Sequence, residues 1–283
     1  MSEAPPLWDP GQYHRFEAQR ARAALDLLLR LPEDFAPSEV WDLGCGTGQH
    51  AALLKRRHPI AAVHGLDSSA AMLDQARALS ADVDWVVGDI AAWSPSRPVD
   101  LLFANASLQW LPDHEGLFRR LAEHLAPGGV MAVQMPQSWD TGHHRLMRET
   151  LAQGPWAERL ARVSARVQVM TAEAYYDVLA PLCDDIDLWA TTYLHVLSDD
   201  DAVLEWMKGT ALRPYLTVLA DDPPLREQHS LLRLRLVLGL VRTRREHRHA
   251  VVVGEVRVGR IDLGIVEAGS RHPRLQVVGD DSL

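Results

Sequence analysis

The sequence contains little lysine and little cysteine. Lys55 and Lys208 are the only two lysines among 283 residues, so arginine supplies nearly all of the positive charge. The formal net charge of −9 argues against a general nucleic-acid-binding protein, because such a protein needs a basic surface. Cys45 and Cys183 form no close-spaced pair, so we expect a reduced, cytoplasmic protein without a metal site.

Long apolar runs are also missing, as are aromatic residues late in the chain. No apolar stretch approaches the roughly 20 residues of a membrane span. Residues 1–10 are acidic and proline-rich, so we expect no signal peptide and no membrane partner. After Tyr215 there is no Phe, Trp or Tyr, although the chain holds 4, 9 and 5 of these residues. The last part of the chain therefore differs in composition from the rest.

A glycine-rich run is the most informative feature that is present: Asp42-Leu43-Gly44-Cys45-Gly46-Thr47-Gly48. It predicts a tight turn between a strand and a helix, because glycine lets the backbone turn sharply and approach a ligand. A dinucleotide fingerprint would need Gly or Ala at the position of Gln49, which disfavours a dehydrogenase. The D-x-G-x-G-x-G spacing, followed by Asp67, instead indicates a nucleoside cofactor whose ribose is bound by a carboxylate.

Strands and helices alternate through the first half of the sequence. Apolar patterning predicts a helix over 13–31, strand 40–43, helix 49–57, strand 63–66, helix 69–80, strand 83–87, strand 99–104, a helix over 114–125, a turn at 127–129 and strand 130–135. This order predicts an α/β fold whose mostly parallel sheet has helices on both faces and binds ligands at its carboxyl edge. Asp42, Asp67, Asp89 and Asn105 all fall at that edge.

The pattern changes after residue 138. Helical stretches at 142–153, 172–179 and 199–209 surround a strand-like run at 186–196, which we interpret as a helical cap that adds one strand to the sheet. The predicted division is an N-terminal helical segment over the site (1–37), a cofactor-binding core (38–137), a cap and substrate region (138–228) and an atypical tail (229–283).

Several motifs before residue 228 are specific. The most specific is Asn105-Ala106-Ser107-Leu108-Gln109-Trp110-Leu111-Pro112-Asp113-His114, and others are Trp8–Tyr13, Asp67–Met72, Tyr175-Tyr176, Trp189–Tyr193 and Gly209–Tyr215. These segments resemble the trans-aconitate 2-methyltransferases, which are class I S-adenosylmethionine-dependent methyltransferases. The resemblance implies a Rossmann-like fold. It also implies transfer of a methyl group from S-adenosylmethionine to a carboxylate of trans-aconitate or a similar small tricarboxylate.

The resemblance assigns cofactor binding to ten residues: Asp42, Gly44, Gly46, Gly48, Asp67, Ser68, Met72, Asp89, Ile90 and Asn105. Asp67 would bind the ribose. Asp89 and Ile90 would contact the adenine, and Met72 would pack on it or in the core. Asn105 and Gln109 would position the reacting groups. No acid–base residue is required, because the acceptor carboxylate is already ionised at neutral pH.

The acceptor would be a trianion, and so acidic a protein needs a concentrated cationic pocket to bind it. Arg213, flanked by Tyr215, is the first candidate for this pocket. Further candidates are Arg20, Arg22 and Tyr13 in the N-terminal helix, with Trp110 as a wall of the pocket. The sequence does not indicate an oligomeric state.

Two other functions remain open at this point. One is methyl transfer to another small acceptor, such as a quinone or phenol precursor. The other is a cofactor-binding protein that is inactive because of an altered C-terminus. The family ends in an aromatic, Phe-rich strand that this chain lacks, as a shifted reading frame would produce. Residues 251–258 alternate like a strand, but arginines crowd 233–260. We therefore doubt the final strand and expect that segment to be solvated and loosely held.

Overall fold

A computed structural model describes residues 17–137, 142–153, 156–164, 169–195, 202–208, 211–220 and 251–261. Seven strands within these ranges form a sheet in the order β3-β2-β1-β4-β5-β7-β6. The strands are β1 (Glu39–Leu43), β2 (Ala62–Asp67), β3 (Asp84–Val87), β4 (Val99–Asn105), β5 (Leu125–Pro136), β6 (Ile186–His195) and β7 (Val251–Ile261).

The helices lie between these strands and in the cap. They are α1 (Glu17–Leu29), α2 (Gln49–Arg57), α3 (Ala70–Leu79), α4 (His114–Glu123), α5 (Gly142–Gln153), α6 (Ala157–Ser164), α7 (Ala172–Leu179), α8 (Ala202–Lys208) and α9 (Arg213–Ala220), with 3-10 turns at Ile90–Ala92 and Leu108–Trp110. The sequence pattern did not indicate α6 and α9, which have eight residues each. None of the described helices has the length and apolar composition needed to cross a membrane.

The strand directions bring the predicted site residues to one edge. Strands β3, β2, β1, β4 and β5 are parallel. Strand β7 is antiparallel to both β5 and β6, so β6 runs in the same direction as β5. The predicted mostly parallel, Rossmann-like sheet is confirmed, and the carboxyl ends of six strands share one edge.

Strand β4 shows why helices cover both faces of the sheet. Leu101 and Phe103 pack in a cluster with Leu27 of α1, whereas Leu102 packs on the opposite face with Phe118 of α4. Because successive side chains of a strand point to opposite faces, a strand covered on both sides is apolar at nearly every position. The continuous apolar run of β4 therefore requires a helical layer on each face.

Strand β5 begins earlier than the sequence pattern predicts. Leu125 already pairs with Val99, and the next pair is Val130 with Leu101, so the segment predicted as a separate turn lies inside the strand as an irregularity. Gly128 has a φ of 74°, which breaks the regular pairing. Residues 126–129 thus bulge out opposite a single residue of β4.

The expectation of a loosely held tail is wrong for β7. This strand lies between β5 and β6, where Val256 pairs with both Met135 and Ala190. Most of the arginines that suggested a solvated segment precede residue 251, and the strand itself contains only Arg257 and Arg260. An inner strand must pair its backbone on both sides, and β-branched valine suits that position. Residues 233–250 lie outside the described ranges.

We expect Val256→Pro to destabilise the protein, because proline removes a backbone N–H from an inner strand. Leaving a buried partner unpaired costs about 1–3 kcal/mol, which lowers the Tm of a chain of this size by roughly 3–10 °C. Val256→Ala keeps the N–H and is the matched control in thermal unfolding. An equal Tm for the two variants would contradict the inner position of β7.

Candidate cofactor and substrate site

The glycine-rich run becomes the loop between β1 and α2, and the end of β2 holds it. The N–H groups of Gly44 and Cys45 donate to the C=O of Leu66 over 2.7 and 2.9 Å. Each carboxylate oxygen of Asp67 accepts one hydrogen bond: Oδ2 from the N–H of Gly46 and Oδ1 from the N–H of Ser69, each over 2.8 Å. Asp67 therefore ties this loop to the start of α3.

The three glycines of the loop meet different surroundings, although all have positive φ (77°, 55° and 83°). A Cβ on Gly44 would lie 2.3 Å from the Cβ of Ser107, and one on Gly48 would lie 2.4 Å from the ring of Trp85. A Cβ on Gly46 would have no described atom within 4 Å. Packing thus requires Gly44 and Gly48, whereas Gly46 borders space that a ligand can enter.

Asp42 is a buried carboxyl beside this loop. Its side chain is only 1% exposed, and Oδ2 has no hydrogen-bond partner among the described residues. Burial, and then the nearby charge of Asp67, raises the pKa of Asp42 to about 8, although the N–H of Ala51 acts in the opposite direction. Burial also raises the pKa of Asp67, against the two backbone N–H groups that it accepts. Because a nearby positive charge stabilises the ionised form of a carboxyl, Asp42 and Asp67 favour a cationic ligand at the carboxyl edge of the sheet.

The turn after β4 presents two side-chain amides. Asn105 Oδ1 and Gln109 Oε1 are buried and without a partner among the described residues. The Gln109 Nε2 donates to the C=O of Ala106 over 2.8 Å. The Ser107 hydroxyl donates to the C=O of Leu43 over 2.7 Å, which fastens this turn to the end of β1. Free acceptor oxygens thus follow two neighbouring strands.

The expected adenine region lies beside the loop. Ile90 is buried, and its Cδ1 would be 3.5 Å from a Cβ placed on Gly44. Asp89 is exposed and its Oδ1 accepts from the N–H of Ala91 over 2.9 Å, which caps the turn that Ile90 begins. Ser68 is exposed, whereas Met72 is buried in α3. These positions agree with the expected roles of the residues, which remain predictions.

The candidate substrate residues are less concentrated. Arg213 is half-buried at the first position of α9, and Trp110 is half-buried at the end of its 3-10 turn. Tyr215 is 2% exposed within an apolar cluster of the cap helices. The exposed guanidinium of Arg22 lies 4.8 Å from the ring centre of Tyr193 in β6. Tyr13 and the side chain of Arg20 lie outside the described residues.

The sequence analysis assigned no role to four residues that shape the site: Ser107, Trp85, His114 and Tyr175. Two of them, Ser107 and His114, stand within the ten-residue motif at 105–114, but the motif does not reveal their partners. The contact of Trp85 with the loop exists only because β3 lies beside β2. Within the described ranges, no three His, Cys, Asp or Glu side chains are grouped so as to hold a metal ion.

Comparisons with known proteins agree on one family. A family model described as a methyltransferase domain matches residues 40–129. The trans-aconitate 2-methyltransferase of Azoarcus sp. (strain BH72) is 53% identical over 217 residues, which are 77% of this chain and 85% of that protein. The protein of that name from Acidovorax ebreus (strain TPSY) is 47% identical over 75% of this chain and 83% of its own length. The protein of that name from Yersinia pestis (strain Pestoides F) is 46% identical over 76% of this chain and 83% of its own length.

Solved structures support the fold alone, because their sequence identities are low. The YcgJ protein from Bacillus subtilis has a TM-score of 0.53 at 12% identity, covering 84% of this chain and 97% of that one. A putative Haloferax volcanii methyltransferase, solved with the Trm112 methyltransferase activator, has a TM-score of 0.52 at 16% identity, covering 89% and 94%.

The raised pKa of Asp42 predicts a pH-dependent stability of the unliganded protein. Its pKa is 3.8 when it is unperturbed and about 8 in the fold, so the folded chain holds this proton more tightly. The stability that Asp42 contributes by holding this proton is complete below the unperturbed pKa and is lost as the pH rises through the pKa in the fold. Between about pH 6.5 and 7.5 the free energy of unfolding should fall by up to about 1.4 kcal/mol from this group.

Asp42→Asn removes the titration and keeps the shape of the side chain, so its free energy of unfolding should depend less on pH. Urea unfolding at the two pH values measures both proteins. Equal slopes in the wild type and the variant would contradict the assignment.

Proposed function

Because this chain belongs to the trans-aconitate 2-methyltransferase family, we propose that it transfers a methyl group from S-adenosylmethionine to a carboxylate of trans-aconitate or a similar small tricarboxylate. One observation carries this proposal. Three buried acceptor oxygens without described partners lie at or just after the carboxyl ends of the neighbouring strands β1 and β4, on Asp42, Asn105 and Gln109. A ligand with a positive sulfonium and an ammonium group suits such acceptors, and Gly46 leaves space beside them.

The residues of this edge have distinct tasks in holding the cofactor. Asp42 and Asn105 would bind its positive groups through Oδ2 and Oδ1, which have no hydrogen-bond partner among the described residues. Each oxygen of Asp67 already accepts one backbone N–H, yet a carboxylate oxygen has a further lone pair for a ribose hydroxyl. Ile90 offers an apolar surface beside the loop for the adenine. When bound, S-adenosylmethionine supplies a methyl group on a positively charged sulfur.

The chain needs no general base for this acceptor. A carboxylic acid with a pKa near 4 is almost fully ionised at neutral pH, so an oxygen nucleophile is already present. The protein then contributes positioning, which supplies roughly 7–11 kcal/mol, and the exclusion of water. His114, the histidine nearest to the turn after β4 in sequence, has both ring nitrogens in hydrogen bonds inside the protein. A phenol or quinone precursor would require a base, so this arrangement favours the carboxylate.

The alternative of an inactive protein depended on a missing final strand. Strand β7 occupies the place between β5 and β6, so the sheet is complete despite its lack of aromatic residues. The position of β7 therefore supports an active enzyme over a protein that is inactive because of its altered C-terminus.

The direction of α1 supports a role for the N-terminal segment over the site. Arg22 lies over Tyr193 near the carboxyl end of β6, whereas Arg30 forms an ion pair of 2.9 Å with Asp187 near its start. Helix α1 thus runs opposite to β6, with its first turn toward the carboxyl edge of the sheet. The position of Arg22 at that end supports a contact with an anionic acceptor, and Arg213 remains the first candidate in the cap.

We expect the protein to methylate trans-aconitate in the presence of labelled S-adenosylmethionine, with a kcat that is nearly constant from about pH 6.5 to 9. Arg213→Ala should raise the KM for trans-aconitate by about tenfold or more, because a charge-assisted contact is lost. Arg213→Lys should recover only part of that loss, since an ammonium cannot form a bidentate pair. Arg119→Ala, which removes an exposed arginine paired with Glu115, is the control.

Two outcomes would count against this assignment. An unchanged KM in both Arg213 variants would move the carboxylate site elsewhere, with Arg22 as the next residue to test. An absence of transfer to any tricarboxylate would refute the proposed acceptor.

We expect Gly46→Ala to fold but to bind S-adenosylhomocysteine at least about tenfold more weakly, because its methyl group fills the space beside the loop and alters the close approach. Gly128→Ala is the matched control: it is an exposed glycine with a φ of 74° at the opposite end of the sheet. Both variants bear a similar backbone cost of about 1–2 kcal/mol. Titration calorimetry with equal affinities for the two would show that the ligand does not approach Gly46.

A further inference from the structure

A buried hydrogen-bonded pair connects the cap to the turn after β4. His114 begins α4 and is 2% exposed, while Tyr175 in α7 is fully buried. The Nδ1 of His114 lies 2.5 Å from the hydroxyl oxygen of Tyr175, and its Nε2 lies 3.0 Å from the C=O of Leu108. On the cap side, the N–H of Met170 donates to the same hydroxyl over 3.2 Å. The bonds form a continuous chain between two segments that are 61 residues apart in sequence.

The donor and acceptor roles along this chain follow from the chemistry of its groups. A carbonyl oxygen only accepts, so the proton of the His114 ring is on Nε2 and is donated to Leu108. Burial lowers the pKa of His114, which keeps the ring neutral and leaves Nδ1 as an acceptor. The hydroxyl of Tyr175 therefore donates to Nδ1 and accepts from Met170. The sulfur of Met135, 3.9 Å from this hydroxyl, is a more distant and weaker acceptor.

The chain of bonds ends where the site begins. Leu108 is fully buried and opens the 3-10 turn that carries Gln109. Asn105 ends β4 three residues before this turn, and the Gln109 Nε2 donates to the C=O of Ala106 in the segment between them. The turn whose first carbonyl accepts from His114 thus carries the unpartnered oxygen of Gln109, and it follows closely on the strand end that carries the unpartnered oxygen of Asn105.

We propose that Tyr175 is a positioning residue for methyl transfer: through His114 it holds the turn at Leu108 and, with it, the amides of Asn105 and Gln109 in their reactive arrangement. This inference rests on the proposed function. The cap then also affects the geometry of the site, because one hydroxyl group links the packing of α7 on α4 to the turn at Leu108. Changes in the cap, far from the cofactor in sequence, then alter the rate of transfer.

Tyr175→Phe tests the link, since it removes one oxygen and leaves His114 Nδ1 without a donor. We expect kcat for trans-aconitate to fall about tenfold, because a buried polar group is left unpaired at the site. The Kd of S-adenosylhomocysteine should stay within about twofold of the wild-type value, since the loop after β1 has its own contacts. Tyr176→Phe makes the same change at the next position, which is half-buried and has no hydroxyl bond to another described residue.

If Tyr175 only stabilises the fold, Tyr175→Phe will change the Tm and leave the kinetic constants unchanged. If Tyr175→Phe lowers the Tm but leaves kcat and KM at the values of Tyr176→Phe, the proposal is overturned. If Tyr175→Phe does not fold, His114→Gln is measured in its place, because its amide N–H replaces Nε2 toward Leu108 and leaves the Tyr175 hydroxyl without the Nδ1 acceptor. The same tenfold fall in kcat is expected, and an unchanged kcat would overturn the proposal.

Amide hydrogen exchange separates this inference from the proposed function. Residues 105–111 should exchange faster in Tyr175→Phe than in Tyr176→Phe, with no acceptor present. Equal exchange in the two variants would overturn the link even for an active enzyme. If the wild-type protein transfers no methyl group to trans-aconitate, but the two variants still differ in exchange, the proposed acceptor is refuted and the link between Tyr175 and the turn is retained.

Discussion

The loop that leaves β1 passes through a narrow space between its neighbours, and the carboxyl edge of the sheet depends on that close passage. On one side Gly44 lies against Ser107, whose hydroxyl also binds the C=O of Leu43. On the other side Gly48 lies against the ring of Trp85. Side chains at these two glycines would push the loop away from both neighbours. The contact between the loop and the β4 turn therefore requires residues without a Cβ.

This close passage also explains the electrostatics of the site. Asp42 stands just before the loop and is sealed from water, so its charged form is costly unless a cation approaches. Asp67 adds a second carboxyl that closes the loop through Gly46. A protein that keeps two carboxyls this close in a buried place is poised for a positive ligand, and perturbed groups of this kind are typical of functional sites. The net negative charge of the chain is thus compatible with one site that binds a positive ligand and another that binds an anionic one.

The second half of the chain is attached to this core through the far edge of the sheet. Strand β6 pairs with the sheet through β7, and its side chains Ile186 and Leu188 pack against the core. Helix α1 also contacts β6 through side chains on one of its faces. Arg22 and Asp26 both contact Tyr193, while the guanidinium of Arg30 lies 4.0 Å from the ring centre of Trp189. The N-terminal helix, the cap strand and the tail strand hence stabilise one another. The lack of aromatic residues after Tyr215 does not leave the sheet open, because backbone pairing in an inner strand needs no aromatic side chain.

Local sequence patterns determined most of the secondary structure and the chemical character of the site. The alternation of apolar runs and turn residues located the first five strands to within a few residues, except for the early start of β5, because such patterns arise from the surfaces that each element buries. The glycine spacing and the acids at the strand ends likewise follow from short-range constraints on a turn and its ligand. The position of Asp42, Asp67 and Asn105 at the carboxyl edge could therefore be predicted without the fold, while their roles remain predictions.

Tertiary structure alone decided which residues meet. The place of β7 between β5 and β6 and the bond between His114 and Tyr175 join segments far apart in the chain. Nothing in a local pattern records such a partner. The open space at Gly46 is of the same kind, since it depends on what the neighbouring strands leave unfilled. Contacts of this sort are selected by the packing of the whole sheet, in which every buried backbone and side-chain group must find a partner at once.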